Sequence, residues 1–216
     1  MPSTRLLRCL SVLAVTVGLS QAASGQLASR PAEEWIKTLE APNRVAGLKI
    51  DDIVAKLRLK PGETIADIGA GPGLFEVPLA KAVSPSGTVY AVDIDEGFFS
   101  EIKKRAEDAH VSNVQPVLGK FTDPNLPAKN VDVVFFHDVL HHVQDRAGYL
   151  KSVGGYLKRS GRIVVIDYEG GQGPHKDQPD LQVTRQQLAT WMAAAGLKPA
   201  DDVKLFPDKY FLVYSK

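Results

Sequence analysis

Cysteine is nearly absent from this chain: one residue in 216, Cys9, which lies ahead of an apolar run near the start. Beyond that segment there is no thiol for a disulfide, a cysteine-type metal site or a nucleophile. A lipid-attachment cysteine would follow such a run rather than precede it. An excess of one charge is also missing. Lys and Arg number 26 against 25 for Asp and Glu, a net charge of +1, and that balance lacks the basic footprint of nucleic-acid binding. No internal repeat, heptad pattern or low-complexity tract is present. The longest early apolar run, Leu10 to Leu19, falls short of the roughly 20 residues a membrane span needs.

What is present is ordinary for a globular protein, with 44% hydrophobic and 24% charged residues, enough to cover a sheet on both faces. Arg5 and Arg8, the apolar run, and the small residues Ala22, Ala23 and Gly25 have the layout of a secretory leader. Residues 1–25 are expected to be a signal peptide directing export to the periplasm or outside. The alternatives are an uncleaved anchor, which would be the chain's one membrane contact, or a transit peptide. Residues 26–60 are expected to form a helical cap, and residues 61–216 a single α/β domain.

Apolar residues at helical spacing from Trp35 to Leu57 predict two helices separated at Pro42 and Asn43. TIADI predicts a buried strand entering a glycine loop, and the next helix begins near Phe75, because Pro78 is tolerated only in a first turn. TVYAVDID, NVQPVLG, the nearly continuous apolar VDVVFFH and GRIVVIDY give four more strands, with helices between them over 98–110 and 145–158. Regular alternation implies parallel pairing with right-handed crossovers. Thr184 caps a last helix, Gly196 stops it, and two strands near 198–205 and 210–214 pair around Pro207 and Asp208. The expected fold is α/β, Rossmann-like and doubly wound: a mostly parallel seven-stranded sheet with an antiparallel C-terminal strand.

The strongest chemical signal is ADIGAGPG, where Asp67 precedes Gly69, Ala70, Gly71 and Gly73 between the first strand and first core helix. Glycines there let backbone approach a ligand closely, and amides at the helix start can meet a carboxylate. A dinucleotide fingerprint needs glycine where Leu74 stands. Asp67 would also repel a pyrophosphate, whereas it suits a ligand carrying an ammonium and a sulfonium. S-adenosylmethionine (SAM) satisfies both observations. Asp93, ending the second strand, can accept hydrogen bonds from ribose hydroxyls, with Ile94 against the adenine; Asp95 is read as a solvated turn residue.

ETIADIGAGPG, VYAVDID and VDVVFFHDVLHHVQD, in that order and spacing, resemble the first, second and fourth-strand motifs of class I SAM-dependent methyltransferases over roughly Val45 to the C-terminus. That resemblance implies that Asp67 and the glycines hold the amino-acid part of SAM, Asp93 the ribose and Ile94 the adenine. One departure stands out. Where such enzymes often carry an acid for the adenine amino group, this chain has Lys120, which cannot accept that bond. Backbone of Lys120 and Phe121 takes its place, or Asp123 reaches back, or the affinity has been lost.

HDVLHH leaves the carboxyl end of the fourth strand, so His137 and Asp138 are expected beside the methyl donor. His141 or His142 is a candidate general base on a substrate hydroxyl; the bland alternative is that these residues only cap or pack. No metal is expected, since the same string is familiar in methyltransferases that need none. Tyr168 and His175 are candidate pocket residues or plain loop residues, and Trp35 is a lid or a core anchor. The expected reaction is in-line methyl transfer to a small-molecule or lipid-like acceptor. An Asn-Pro-Pro-Tyr string is absent after the fourth strand, which disfavours base or glutamine amide methylation; the lack of thiols disfavours arsenite. The rivals are an NAD(P)-dependent oxidoreductase, a non-catalytic SAM-binding protein and a domain that has lost its ligand.

Overall fold

The computed structural model describes residues 30–216. The expected leader, residues 1–25, lies outside the described residues. Three short helices come first: α1 (Ala32–Leu39), α2 (Pro42–Leu48) and α3 (Ile50–Leu57). Pro42 opens α2 at a position where its missing amide costs nothing. The second expected helix is split in two, because Lys49 takes the left-handed conformation (φ 54°) and breaks the ladder between α2 and α3.

The remainder alternates as β1 (Thr64–Ile68), α4 (Glu76–Val83), β2 (Thr88–Asp93), α5 (Phe99–Asp108), β3 (Val114–Leu118), β4 (Val131–His137), α6 (Arg146–Tyr156), β5 (Leu157–Tyr168), α7 (Arg185–Ala194), β6 (Lys198–Asp202) and β7 (Lys209–Ser215). The seven strands lie in the order β3-β2-β1-β4-β5-β7-β6. β1 to β5 are parallel, and β7 runs antiparallel to both β5 and β6. β5 starts at Leu157, four residues before the expected GRIVVIDY, and β6 stops at Asp202. A capping box between Thr184 and Gln187 starts α7, and Gly196 ends it with φ +77°.

VDVVFFH is apolar at every position but Asp132 and His137 because β4 is the middle strand and both of its faces are covered. Val134 and Phe136 pack with Leu150, Val153, Leu188 and Met192 of α6 and α7. Val133 and Phe135 point the other way, onto Ile53, Leu57, Leu79 and Val83 of α3 and α4. α3 is therefore built into the domain core. Removing one such fully buried phenylalanine costs about 3–5 kcal/mol. α1 lies elsewhere, with Trp35, Ile36 and Leu39 packed on Ala70, Phe98 and Ile102 beside the glycine loop. Among the described residues no helix is long and apolar enough to cross a membrane.

Candidate functional site

Strand order reverses between β1 and β4, and in an open α/β sheet that switch point leaves a crevice at the carboxyl ends of the strands. The glycine loop forms its floor. Gly69 (φ +78°) is packed so closely beneath Val139 that a β-carbon would sit 2.3 Å from Cγ2. Gly71 (φ +53°) and Gly73 (φ +84°) are left-handed too. The loop's own amides turn inward: Gly69 and Ala70 both donate to the Val92 carbonyl, Gly73 to Ala70, and Gly71 to Asp93 Oδ2 at 2.8 Å. These four loop amides are thus taken up within the protein. A cation does reach the same cavity: Arg44 of α2, anchored by donating to the Leu39 carbonyl at 2.7 Å.

Two cavities adjoin the loop, one of about 400 Å³ and one of about 800 Å³. Gly69, Asp93, Ile94, Phe121, Val139 and His142 line both, so the two form one continuous cleft. Asp67 lies in the larger part, 3% exposed at the end of β1. Burial raises its carboxyl to about 7, assisted by Asp93. Beneath it Glu76 is fully buried, and its carboxyl is raised well above the usual range by burial and by Asp67. The Asp67 and Glu76 carboxyls lie in position to bond to each other, and the backbone amides of Phe75 and Glu76 also face the Glu76 carboxyl. With both groups buried, a proton shared between them satisfies the pair.

Asp93 is held at the junction, accepting from the amides of Gly71 and Asp95 (3.1 Å), and burial raises its carboxyl. Asp95 accepts from the Gly97 amide and caps the short turn 96–98, in keeping with a turn residue. The smaller cavity runs from Asp93 past Ile94 to Lys120 and Phe121. The Lys120 amide is already bonded to the Asp123 carbonyl at 2.8 Å. Asp123 does not reach back: its carboxylate is tied to Ser152, to the Tyr156 hydroxyl and to the Asn125 amide. Phe121 is 55% exposed, high for an aromatic, and offers its ring to the cleft. Gln144, Tyr149 and Asp180 also line this end, and none was singled out from the sequence. Asp180 belongs to a loop brought over by Arg146, which donates to its carbonyl at 2.6 Å, a long-range contact that no local pattern encodes.

His137 and Asp138 border the larger cavity as expected. Burial pushes the His137 imidazole down to about 4, and its ring packs 5.1 Å from that of Phe75. Asp138 takes a left-handed φ of 53°, and one of its oxygens is claimed by Lys209 of β7 at 2.6 Å. The other oxygen, and His137 Nε2, are buried with no partner among the described residues.

Next along the chain, His141 Nδ1 bonds Asp167 Oδ1 at 2.8 Å, both groups buried, and the His141 amide reaches the other Asp167 oxygen at 3.3 Å. Asp167, at the end of β5, was missed in the sequence because it is 26 residues from its partner. His142 stacks on His141, ring centroids 4.1 Å apart, and burial beside two further imidazoles depresses it to about 3. His175, from the loop after β5, completes a cluster at 5.2 Å from both rings. Tyr168 and Trp35 line the same cavity, so Trp35 is core anchor and cavity wall at once.

Comparison with known proteins agrees with this geometry. Residues 66–165 match the family described as a methyltransferase domain. An uncharacterized 37.1 kDa protein of transposon TN4556 from Streptomyces fradiae is 31% identical over 152 residues, 70% of this chain and 42% of that protein. A demethylmenaquinone methyltransferase from Geobacillus is 24% identical over 54% of this chain and 50% of its own length. The chain thus spans half or less of the length of these curated relatives. A solved SAM-dependent methyltransferase from Aquifex aeolicus superposes with a TM-score of 0.74 at 21% identity, covering 84% of this chain and 96% of that one, which is a likeness of fold. Residues 66–165 thus match a methyltransferase-domain family, and the sheet shares the Rossmann-like fold of that solved structure.

Proposed function

We propose that the chain transfers a methyl group from SAM to a small-molecule or lipid-like acceptor. The observation that carries this reading is the continuous cleft with a carboxylate at each of two stations, buried Asp67 and half-buried Asp93, and an imidazole wall on the same cavity. SAM, when bound, supplies an electrophilic methyl group on a good leaving group. Asp67, with the unpartnered oxygen of Asp138, would hold the ammonium, and Arg44 the carboxylate. Asp93 would accept from the ribose, while Ile94 and Phe121 flank the adenine. The contacts at Lys120 leave the adenine amino group to the Phe121 backbone or to Gln144 and Asp180.

The protein's main contribution would be to align acceptor, methyl carbon and sulfur, and to exclude water beneath Trp35 and Leu39. His141 is the better of the two expected bases. Asp167 holds its Nδ1, fixing the tautomer that leaves Nε2 open to take a proton from an acceptor hydroxyl. His142, depressed to about 3, is a poor proton acceptor. It serves instead as wall between the two parts of the cleft.

Calorimetry with SAM and with NAD, on wild type and Asp93→Ala, tests the reading. SAM should bind and NAD should not, and the variant should bind SAM roughly 10–100-fold more weakly, the loss expected for hydrogen bonds to a charged group. Binding of NAD in place of SAM would establish the oxidoreductase alternative. Export by residues 1–25 is a separate proposal, supported by their composition alone; a full-length fusion to a compartment-sensitive reporter that is active only in the cytosol would refute it.

A further inference from the structure

Three of the chain's five histidines converge from two separate segments on one wall of the larger cavity. One ring nitrogen from each of His141, His142 and His175 lies within 4.8 Å of the others. We propose that these three imidazoles form a binding site for a divalent transition-metal ion of the zinc class, with its open coordination position facing the cavity. The site does not depend on the SAM reading, because the apo chain alone would bind the ion.

The geometry is near what such an ion requires. Zinc–imidazole bonds of about 2.0–2.1 Å in a tetrahedron put ligand nitrogens about 3.4 Å apart, so from separations within 4.8 Å each ring has to draw in by at most about 0.8 Å. His175 sits on the loop after β5, in a segment with left-handed glycines at 171 and 173. Two further observations point to a missing partner. His175 Nδ1 is buried and bonds to nothing among the described residues. In addition, His141 is already oriented as metal-bound histidines are, with its Nδ1 on the carboxylate of Asp167 and its Nε2 left open. Thiolate ligands are absent among the described residues, and imidazole selects zinc, cobalt, nickel, copper or iron(II) over magnesium or calcium.

All three side chains line the larger cavity, so three protein ligands and one open position match the pattern of catalytic rather than structural zinc sites. An ion there would change how the acceptor is ionised. His141 Nε2 would become a ligand, and the ion's charge would lower the pKa of an oxygen bound at the open position.

Cobalt(II) is the probe of choice, because tetrahedral coordination gives it visible absorption that zinc then displaces. The full-length chain, purified without a polyhistidine tag and free of SAM, should bind one equivalent of cobalt(II). His175→Ala and His142→Ala should each weaken binding more than tenfold. Asp167→Asn should weaken it by about 10–100-fold, the usual effect of losing an outer-shell carboxylate. Circular dichroism confirms folding, and should His142→Ala fail to fold, the loop variant His175→Ala still decides. No saturable binding, or binding unchanged in His175→Ala, would overturn the site. A separate SAM titration keeps the two proposals apart: SAM binding without cobalt binding removes only the metal, and the reverse removes only the methyl donor.

Discussion

Asp67→Asn should stabilise the empty protein at alkaline pH while weakening its cofactor binding. Asp67 is 3% exposed and its carboxyl is raised from 3.8 to about 7, chiefly by burial. Between those two values the folded chain holds a proton that the unfolded chain releases. Stability is therefore fully present below about pH 4 and falls as pH rises toward 7. At about 1.4 kcal/mol per pH unit the loss reaches about 4 kcal/mol. An asparagine escapes that cost, but its amide finds imperfect partners in a site built for a shared proton, at about 1–2 kcal/mol. The net gain at pH 8 is about 2–3 kcal/mol, shrinking as pH falls toward 5. Urea unfolding of both proteins at the two pH values measures it. A variant less stable than wild type at pH 8, or a difference that does not change with pH, would refute the argument. The same logic requires SAM binding near pH 6 to release a proton, since an ammonium group calls for an ionised Asp67. Calorimetry in buffers of different ionisation enthalpy reads that proton directly.

Other consequences follow from the packing around the cleft. Lys209→Ala should destabilise the fold by about 3–5 kcal/mol in urea unfolding, because it leaves the buried Asp138 carboxylate without its cation; a loss under 1 kcal/mol would mean the pair is solvated. Gly69→Ala should cost about 2–4 kcal/mol, part from its positive φ and part from collision with Val139. Adding Val139→Ala should recover the collision part alone, and no recovery would put the whole cost in the backbone. His142 should show no titration by NMR between pH 5 and 8, since it is depressed to about 3, and it accordingly favours the fold less as pH falls below 6.5; a midpoint near 6.5 would show the cluster open to water.

The fold was largely legible in the sequence. Both-face burial writes itself as a nearly continuous apolar strand at VDVVFFH, and the glycines of ADIGAGPG are demanded by left-handed backbone at positions 69, 71 and 73. The break at Lys49 was not legible, because nothing local distinguishes a lysine that turns left-handed from one inside a helix. At the site, Asp67, Asp93, His137 and Asp138 were found because strand-end positions in this fold face the crevice by topology alone.

Residue type and local periodicity therefore determined where along the chain the strands fall and which residues stand at their carboxyl ends, since both depend on interactions within a few positions along the chain. Tertiary structure alone decided who the partners of those residues are. Asp167 meets His141 across 26 residues, Lys209 meets Asp138 across 71, and His175 joins His141 and His142 from another loop. These pairings depend on side chains meeting in space, and sequence separation leaves no periodic trace of them. They nevertheless decide which imidazole can act as a base and which group carries charge.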